Sequence, residues 1–169
     1  RCLLFDKGQA GKATTAASTH LIHGGLRYLL YARLTTQTPC WDSGNIVRMA
    51  HGLPHRLPIV WPVYRGHTHG IETVETLLES YDRLQPMKLG RPHLRLSAEG
   101  TLRLIPALAA EGLRGALVFD EWWVDPVALV RANLDSALRG GAQLREKTRV
   151  AALLKGAEKV TGVRLDSGE

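Results

Sequence analysis

Two adjacent glycines, Gly24 and Gly25, interrupt an otherwise largely apolar stretch, His20-Leu21-Ile22-His23-Gly24-Gly25-Leu26-Arg27-Tyr28-Leu29-Leu30-Tyr31. The pattern predicts a helix over 20–31, yet two glycines inside a helix cost about 2 kcal/mol against two alanines. A pair this unfavourable needs a reason: close packing of the backbone against a neighbour, or close approach of a ligand. On such a helix His23 and Arg27, four residues apart, share one face.

The rest of the chain alternates strand and helix signals. Cys2-Leu3-Leu4-Phe5 reads as a short buried strand ended by Asp6-Lys7-Gly8. Residues 9–18, rich in Gly, Ala, Thr and Ser, read as a loop entering the 20–31 helix. Asp42-Ser43-Gly44 is expected to cap a helix running to about His51, after a stretch that Pro39 interrupts. Pro54, Pro58 and Pro62 bracket Ile59-Val60-Trp61, an edge-strand signature. Ile71–Leu84 is an amphipathic helix, with Val74, Leu77, Leu78 and Tyr81 at helical spacing. Ser97 opens a short helix through Leu104, and Leu113–Trp123 reads as a strand. Asp125-Pro126 starts a helix, with Asp as N-cap and Pro in the first turn, and Arg139-Gly140-Gly141 stops it. Gln143-Leu144, Thr148–Leu154 and Val160–Leu165 are short strands, the last two forming a hairpin. The fold class is α/β, or a mixed α+β arrangement.

Composition narrows the partners. Of 169 residues, 44% are hydrophobic and 22% charged, ordinary globular values that exclude a disordered chain. No apolar run approaches the roughly 20 residues of a membrane helix. The two cysteines, Cys2 and Cys40, are too few for a disulfide scaffold and fit a reducing compartment. The net charge of +6 suits an anionic partner, but the basic residues are scattered singly, so nucleic acid is not expected. His51, His55, His67, His69 and His93 lack the accompanying Cys or carboxylate cluster of a metal centre, and none is expected. The apolar opening and the turn-like Asp166-Ser167-Gly168 near the end read as cuts through structure. The chain is therefore expected to be an internal segment of a larger protein, inactive alone and poorly able to hold a cofactor.

Ser18-Thr19-His20-Leu21-Ile22-His23-Gly24-Gly25-Leu26-Arg27-Tyr28-Leu29 closely resembles the S-S-K-L-I-H-G-G-L-R-Y-L signature of FAD-dependent glycerol-3-phosphate dehydrogenases, within the D-amino-acid-oxidase-like flavoproteins. The likeness continues in Cys2–Gly8, in Ala13-Thr14-Thr15-Ala16, in Asp120–Asn133 and in Gly140–Val150. His20 stands where the family has Lys, Leu30 where it has Glu, and Pro126 where it has a second Asp. The family's G-x-G-x-x-G turn would lie before residue 1.

The resemblance implies three segments. Residues 1–54 would belong to a partial Rossmann-like FAD-binding domain, 55–125 to a substrate domain on an antiparallel sheet, and 126–169 would return to the FAD domain. It implies a catalytic set of His23, Arg27 and Tyr28. Its FAD-binding set is Asp6, Lys7, Thr14, Thr15, Ser18, His20, Leu21, Gly24, Gly25 and Val150. Asp6 would accept a ribose hydroxyl, or is an ordinary strand-end turn residue. Thr14, Thr15 and Ser18 would meet phosphate and flavin oxygens, or form a plain loop and cap. His23 would be the base that removes the substrate's hydroxyl proton, or a packed or capping histidine. Arg27 would fork onto a phosphate, or make a surface ion pair. Val150 would meet the adenine, or is core. Trp122 and Trp123 pack between layers or line a pocket.

The activity implied belongs to glycerol metabolism: oxidation of sn-glycerol 3-phosphate to dihydroxyacetone phosphate, with electrons passing to a quinone or to O2. The enzyme would be cytoplasmic, peripheral on the anionic cytoplasmic face of the membrane. Two alternatives stand beside it: a flavoprotein of the same superfamily acting on another hydroxy acid or an amine, and a basic binding module without catalysis.

Overall fold

A computed structural model describes residues 2–30 and 33–168. In chain order the elements are β1 (Leu3–Phe5), β2 (Leu21–Ile22), a 3₁₀ turn (Leu26–Leu30), α1 (Arg33–Met49), β3 (His55–Tyr64), α2 (Ile71–Asp82), α3 (Gln85–Lys88) and β4 (Leu94–Leu96). They continue with α4 (Ala98–Leu104), β5 (Leu113–Trp123), α5 (Pro126–Arg139), β6 (Gln143–Arg145), β7 (Val150–Lys155) and β8 (Val160–Leu165). The chain divides into two compact units, one of residues 1–20 with 125–169 and one of residues 21–124. Residues 21–54 fall in the same compact unit as 55–124.

In the first unit β1 runs parallel to β6, with Leu4 opposite Leu144. Parallel neighbours need a crossover connection, and α5 supplies the helix that leads into β6. Asp125 caps α5 as its sequence signature requires, its carboxylate accepting the N–H groups of Val127 (2.8 Å) and Ala128 (3.2 Å). The β7–β8 hairpin is antiparallel, with Leu153 opposite Val163.

The second unit is built on an antiparallel sheet with β5 at its centre. β3 lies along one edge of β5, and β2 and β4 along the other. Pro58 and Pro62 both fall on β3, whose only partner strand among the described residues is β5. That edge position tolerates their missing N–H groups. Helix α2 lays Ile71, Val74, Leu78 and Tyr81 against Leu117 and Phe119 of β5, forming the core with Val63, Cys40 and Leu29. Ser97 caps α4, its hydroxyl accepting the Gly100 N–H at 3.1 Å.

The strand at residues 3–5 forms, but Leu3 and Leu4 on it are exposed rather than buried. Two further expectations are corrected. The stretch expected to be a helix over 20–31 is a two-residue strand, an irregular turn at residues 23–25 and a 3₁₀ turn; Tyr31 lies outside the described residues. Gly25 has φ +77°, which no helix accommodates, so the glycine pair breaks the helix rather than weakening it. The loop of residues 9–18 accordingly leads into a strand. The second correction concerns α1, which begins at Arg33, runs through Pro39 and ends at Met49, instead of spanning 42–51. An interior proline costs about 3 kcal/mol. Tight packing offsets it: Cys40 and Ser43 are buried, and Gly44 lies so close to the Met87 carbonyl that no side chain fits.

Candidate functional site

The geometry around residues 21–28 makes an open pocket of about 410 Å³ in the second unit. Leu21, Ile59 and Phe119 supply apolar wall, and His23, Arg27 and Tyr28 supply the polar and aromatic groups. His23, Arg27 and Tyr28 are exposed. The Arg27 guanidinium sits 5.7 Å from the centre of the Tyr28 ring, a cation–π contact that limits where the cation points. His23 and Arg27 reach this pocket from a turn and a 3₁₀ segment; the shared helix face expected for them does not exist.

Behind the turn lies a polar cluster that the sequence reading missed. Lys88 is fully buried and spends its three protons on Glu121 Oε2 (2.6 Å), the Tyr81 hydroxyl (2.7 Å) and the Asp120 carbonyl (2.9 Å). The Tyr81 hydroxyl donates to Glu121 Oε1 at 2.8 Å. The Gly24 N–H donates to Glu121 Oε2 at 3.2 Å, and the Cys40 thiol donates to the Gly24 carbonyl at 3.3 Å. Burial pulls the Lys88 ammonium below its ordinary value, and the Glu121 carboxylate beside it pulls the other way. Burial first, and the Glu121 charge second, push the Tyr81 hydroxyl well above the usual phenol range. Burial also raises the Cys40 thiol.

This cluster explains one glycine of the pair. A side chain at Gly24 would collide with the Tyr81 hydroxyl and stand 2.7 Å from both Cys40 Sγ and Lys88 Cδ. Close packing, one of the two reasons the sequence left open, accounts for it. The available signal was Asp120-Glu121: two carboxylates side by side in an apolar strand face opposite ways, so both need buried partners. Asp120 finds Arg56 at 3.1 Å and the Arg91 N–H at 2.9 Å.

The other predicted residues lie in the first unit. Asp6 ends β1, and its Oδ1 accepts the Gly8 N–H at 2.7 Å, leaving Oδ2 directed to no protein donor among the described residues. Lys7 is exposed beside it. Thr14 and Thr15 sit in consecutive turns, closed by Ala17 and Ser18 N–H groups on their carbonyls at 3.1 and 3.3 Å. Thr14 and Ser18 are exposed and Thr15 is half-buried. The Ser18 hydroxyl accepts the N–H of His20, a residue in the left-handed region at φ 61°. Val150 opens β7, half-buried. Leu21, in β2, belongs to the second unit with Gly24 and Gly25.

The remaining candidates have structural partners. Trp122 donates its indole N–H to the Lys88 carbonyl at 2.8 Å, and Trp123 stacks on His55 with ring centres 6.0 Å apart. His93 Nδ1 lies 2.7 Å from Asp82. Among the described residues no group of three or more His, Cys, Asp or Glu side chains could hold a metal ion.

The family described as DAO, FAD dependent oxidoreductase, matches residues 1–169. An aerobic glycerol-3-phosphate dehydrogenase of Bacillus subtilis is 31% identical over 156 residues, covering 90% of this chain and 28% of that protein. An alpha-glycerophosphate oxidase of Lactococcus lactis is 28% identical over 159 residues, 90% of this chain and 26% of that protein. The chain therefore spans about a quarter of the length of these relatives. The solved glycerol-3-phosphate dehydrogenase from Bacillus halodurans complexed with FAD aligns at TM-score 0.60 and 16% identity, over 96% of this chain and 25% of that one. A glycine oxidase from Bacillus cereus aligns at TM-score 0.58 and 18% identity, over 98% of this chain and 45% of that one. These structural likenesses show a shared fold.

Proposed function

The chain belongs to the DAO family of FAD-dependent oxidoreductases, and we propose that it serves the oxidation of sn-glycerol 3-phosphate to dihydroxyacetone phosphate, with electrons leaving to a quinone or to O2. The observation that carries this reading is the presence of an imidazole and a guanidinium, His23 and Arg27, on one pocket of about 410 Å³. A phosphorylated secondary alcohol needs one group of each kind. The names of relatives such as those of Bacillus subtilis and Lactococcus lactis, glycerophosphate enzymes at about 30% identity, support the substrate.

The residues fit FAD by the chemistry of their donors and acceptors. Asp6 offers a strand-end carboxylate oxygen for a ribose hydroxyl. Thr14, Thr15, Ser18 and His20 offer a turn of small hydroxyls and an imidazole, and Val150 an apolar strand start. Lys7, exposed beside Asp6, completes the proposed set within the first unit. FAD, when bound, supplies the acceptor for the hydride from the carbinol carbon.

The chain's own groups do the rest. His23 takes the hydroxyl proton at its imidazole nitrogen. Arg27 holds the phosphate through two N–H groups, and the Tyr28 ring beneath it limits its swing. Leu21, Ile59 and Phe119 offer the substrate's carbon chain an apolar wall on this open pocket. The working place we propose is the cytoplasmic face of an anionic membrane, where a net charge of +6 favours docking. No helix among the described residues is long and apolar enough to cross a membrane.

The test is anaerobic bleaching of the flavin in the protein expressed from its native reading frame. Glycerol 3-phosphate should bleach the visible absorption and glycine should not. Bleaching by an amine or by a non-phosphorylated hydroxy acid instead would replace the proposed substrate.

A further inference from the structure

Glu121 has no role in the redox chemistry above, yet it stands in the wall of the pocket that holds His23 and Arg27, only 4% exposed. An ionised carboxylate there needs partners on both oxygens. Oε1 accepts from Tyr81, and Oε2 accepts from Lys88 and from the Gly24 N–H. Residues 23–25 belong to neither helix nor strand, so no ladder sets the direction of the chain there. Buried side chains do so instead, Glu121 on the Gly24 N–H at 3.2 Å and Cys40 on the Gly24 carbonyl at 3.3 Å. Lys88 places its ammonium 2.6 Å from Glu121 Oε2 behind the turn.

We propose that Glu121 is a positioning residue, fixing the 23–25 turn through the Gly24 N–H and so setting how His23 and Arg27 face the pocket. This deepens the function proposed above and rests on His23 and Arg27 being the groups that meet substrate. If Glu121 were only the counter-ion of Lys88, replacing both by apolar residues of similar volume would leave the turn undisturbed.

The experiment compares wild type with the double variant Glu121→Leu/Lys88→Met, both expressed from the native reading frame. Two quantities are read: amide hydrogen exchange, and the rate at which glycerol 3-phosphate bleaches the flavin. The amides of the β3–β5 ladder should keep wild-type protection. The Gly24 amide, having lost a charge-assisted bond, should exchange about 10- to 100-fold faster. Bleaching should slow by about tenfold or more as the base is misplaced, with flavin content unchanged. Unchanged Gly24 exchange overturns the proposal, and so does an unchanged bleaching rate with the ladder intact. Should the ladder lose protection, Glu121→Gln decides. A neutral acceptor is weaker, so the Gly24 amide proton should shift upfield and exchange faster; no change overturns the proposal. If wild-type flavin is bleached by a different substrate, the function reading fails, and the same comparison made with that substrate still judges Glu121.

Discussion

The Lys88 ammonium lies 2.6 Å from Glu121 Oε2, with the lysine wholly buried and the carboxylate side chain 5% exposed. Such a pair adds little net stability, because taking two charges out of water cancels most of their attraction. Its loss by halves is another matter. Lys88→Met alone leaves the Glu121 carboxylate buried with only the Tyr81 hydroxyl and the Gly24 N–H. It should cost about 3–5 kcal/mol, and the added Glu121→Leu should restore most of that. Urea unfolding of the three proteins checks it; a single variant as stable as the double one would contradict it.

Gly24 and Gly52 are both glycine for different reasons, and alanine should separate them. At Gly24 a methyl group meets the Tyr81 hydroxyl, Cys40 and Lys88 inside the core. Overpacking of this kind costs about 1–3 kcal/mol. Gly52, at φ +81°, has nothing within 4 Å of a methyl group, so only backbone strain of about 1 kcal/mol applies. The melting temperature of Gly24→Ala should therefore fall further than that of Gly52→Ala.

How far the fold could be read from the chain followed the kind of signal involved. Asp125-Pro126, Ser97 and the 71–84 apolar spacing act locally, and each produced the element expected, with ends moved by a residue or two. The 20–31 stretch failed because its apolar residues satisfy a helical period while Gly25 takes a φ that no helix holds. Pro39 misled in the opposite direction: a local breaker was overruled by contacts with α3 and the 3₁₀ turn, distant or irregular neighbours that no local pattern encodes. The site divides in the same way. His23, Arg27 and Tyr28 lie close in sequence and line one pocket. Glu121, Lys88 and Tyr81 come from three elements, and only the fold brings them together.

Glu146 gives the first unit a defined response to acid. Its carboxylate accepts the Ala10 N–H at 2.8 Å and lies 2.9 Å from the Arg131 guanidinium. The Ala10 amide chiefly, with Arg131 also contributing, holds it below the ordinary 4.5. In the unfolded chain the group takes up its proton at the ordinary value, so unfolding binds a proton as pH falls below it. The stability that Glu146 contributes is present above pH 4.5 and is lost as pH falls through its lowered folded value. Glu146→Gln should flatten that part of the profile. The measurement is melting temperature against pH, wild type against variant; parallel curves would refute the assignment.

His23 and Arg27 should fail in kinetically different ways if they carry the proposed roles. His23→Asn removes the base and keeps the volume, so kcat for glycerol 3-phosphate should drop by about 10²- to 10⁴-fold, the usual contribution of a positioned acid–base group. KM should change little, because the imidazole meets a proton and not the phosphate. Arg27→Lys keeps the charge and loses the planar fork. It also weakens the contact with the Tyr28 ring, 5.7 Å from the guanidinium carbon. Ground-state binding of the phosphate should weaken by about 1.5–3 kcal/mol, roughly a 10- to 150-fold rise in KM, with the smaller change in kcat. Added inorganic phosphate should inhibit wild type competitively and Arg27→Lys more weakly. A KM effect at His23 with a kcat effect at Arg27 would reverse the two assignments, and equal small effects at both would move the chemistry out of this pocket.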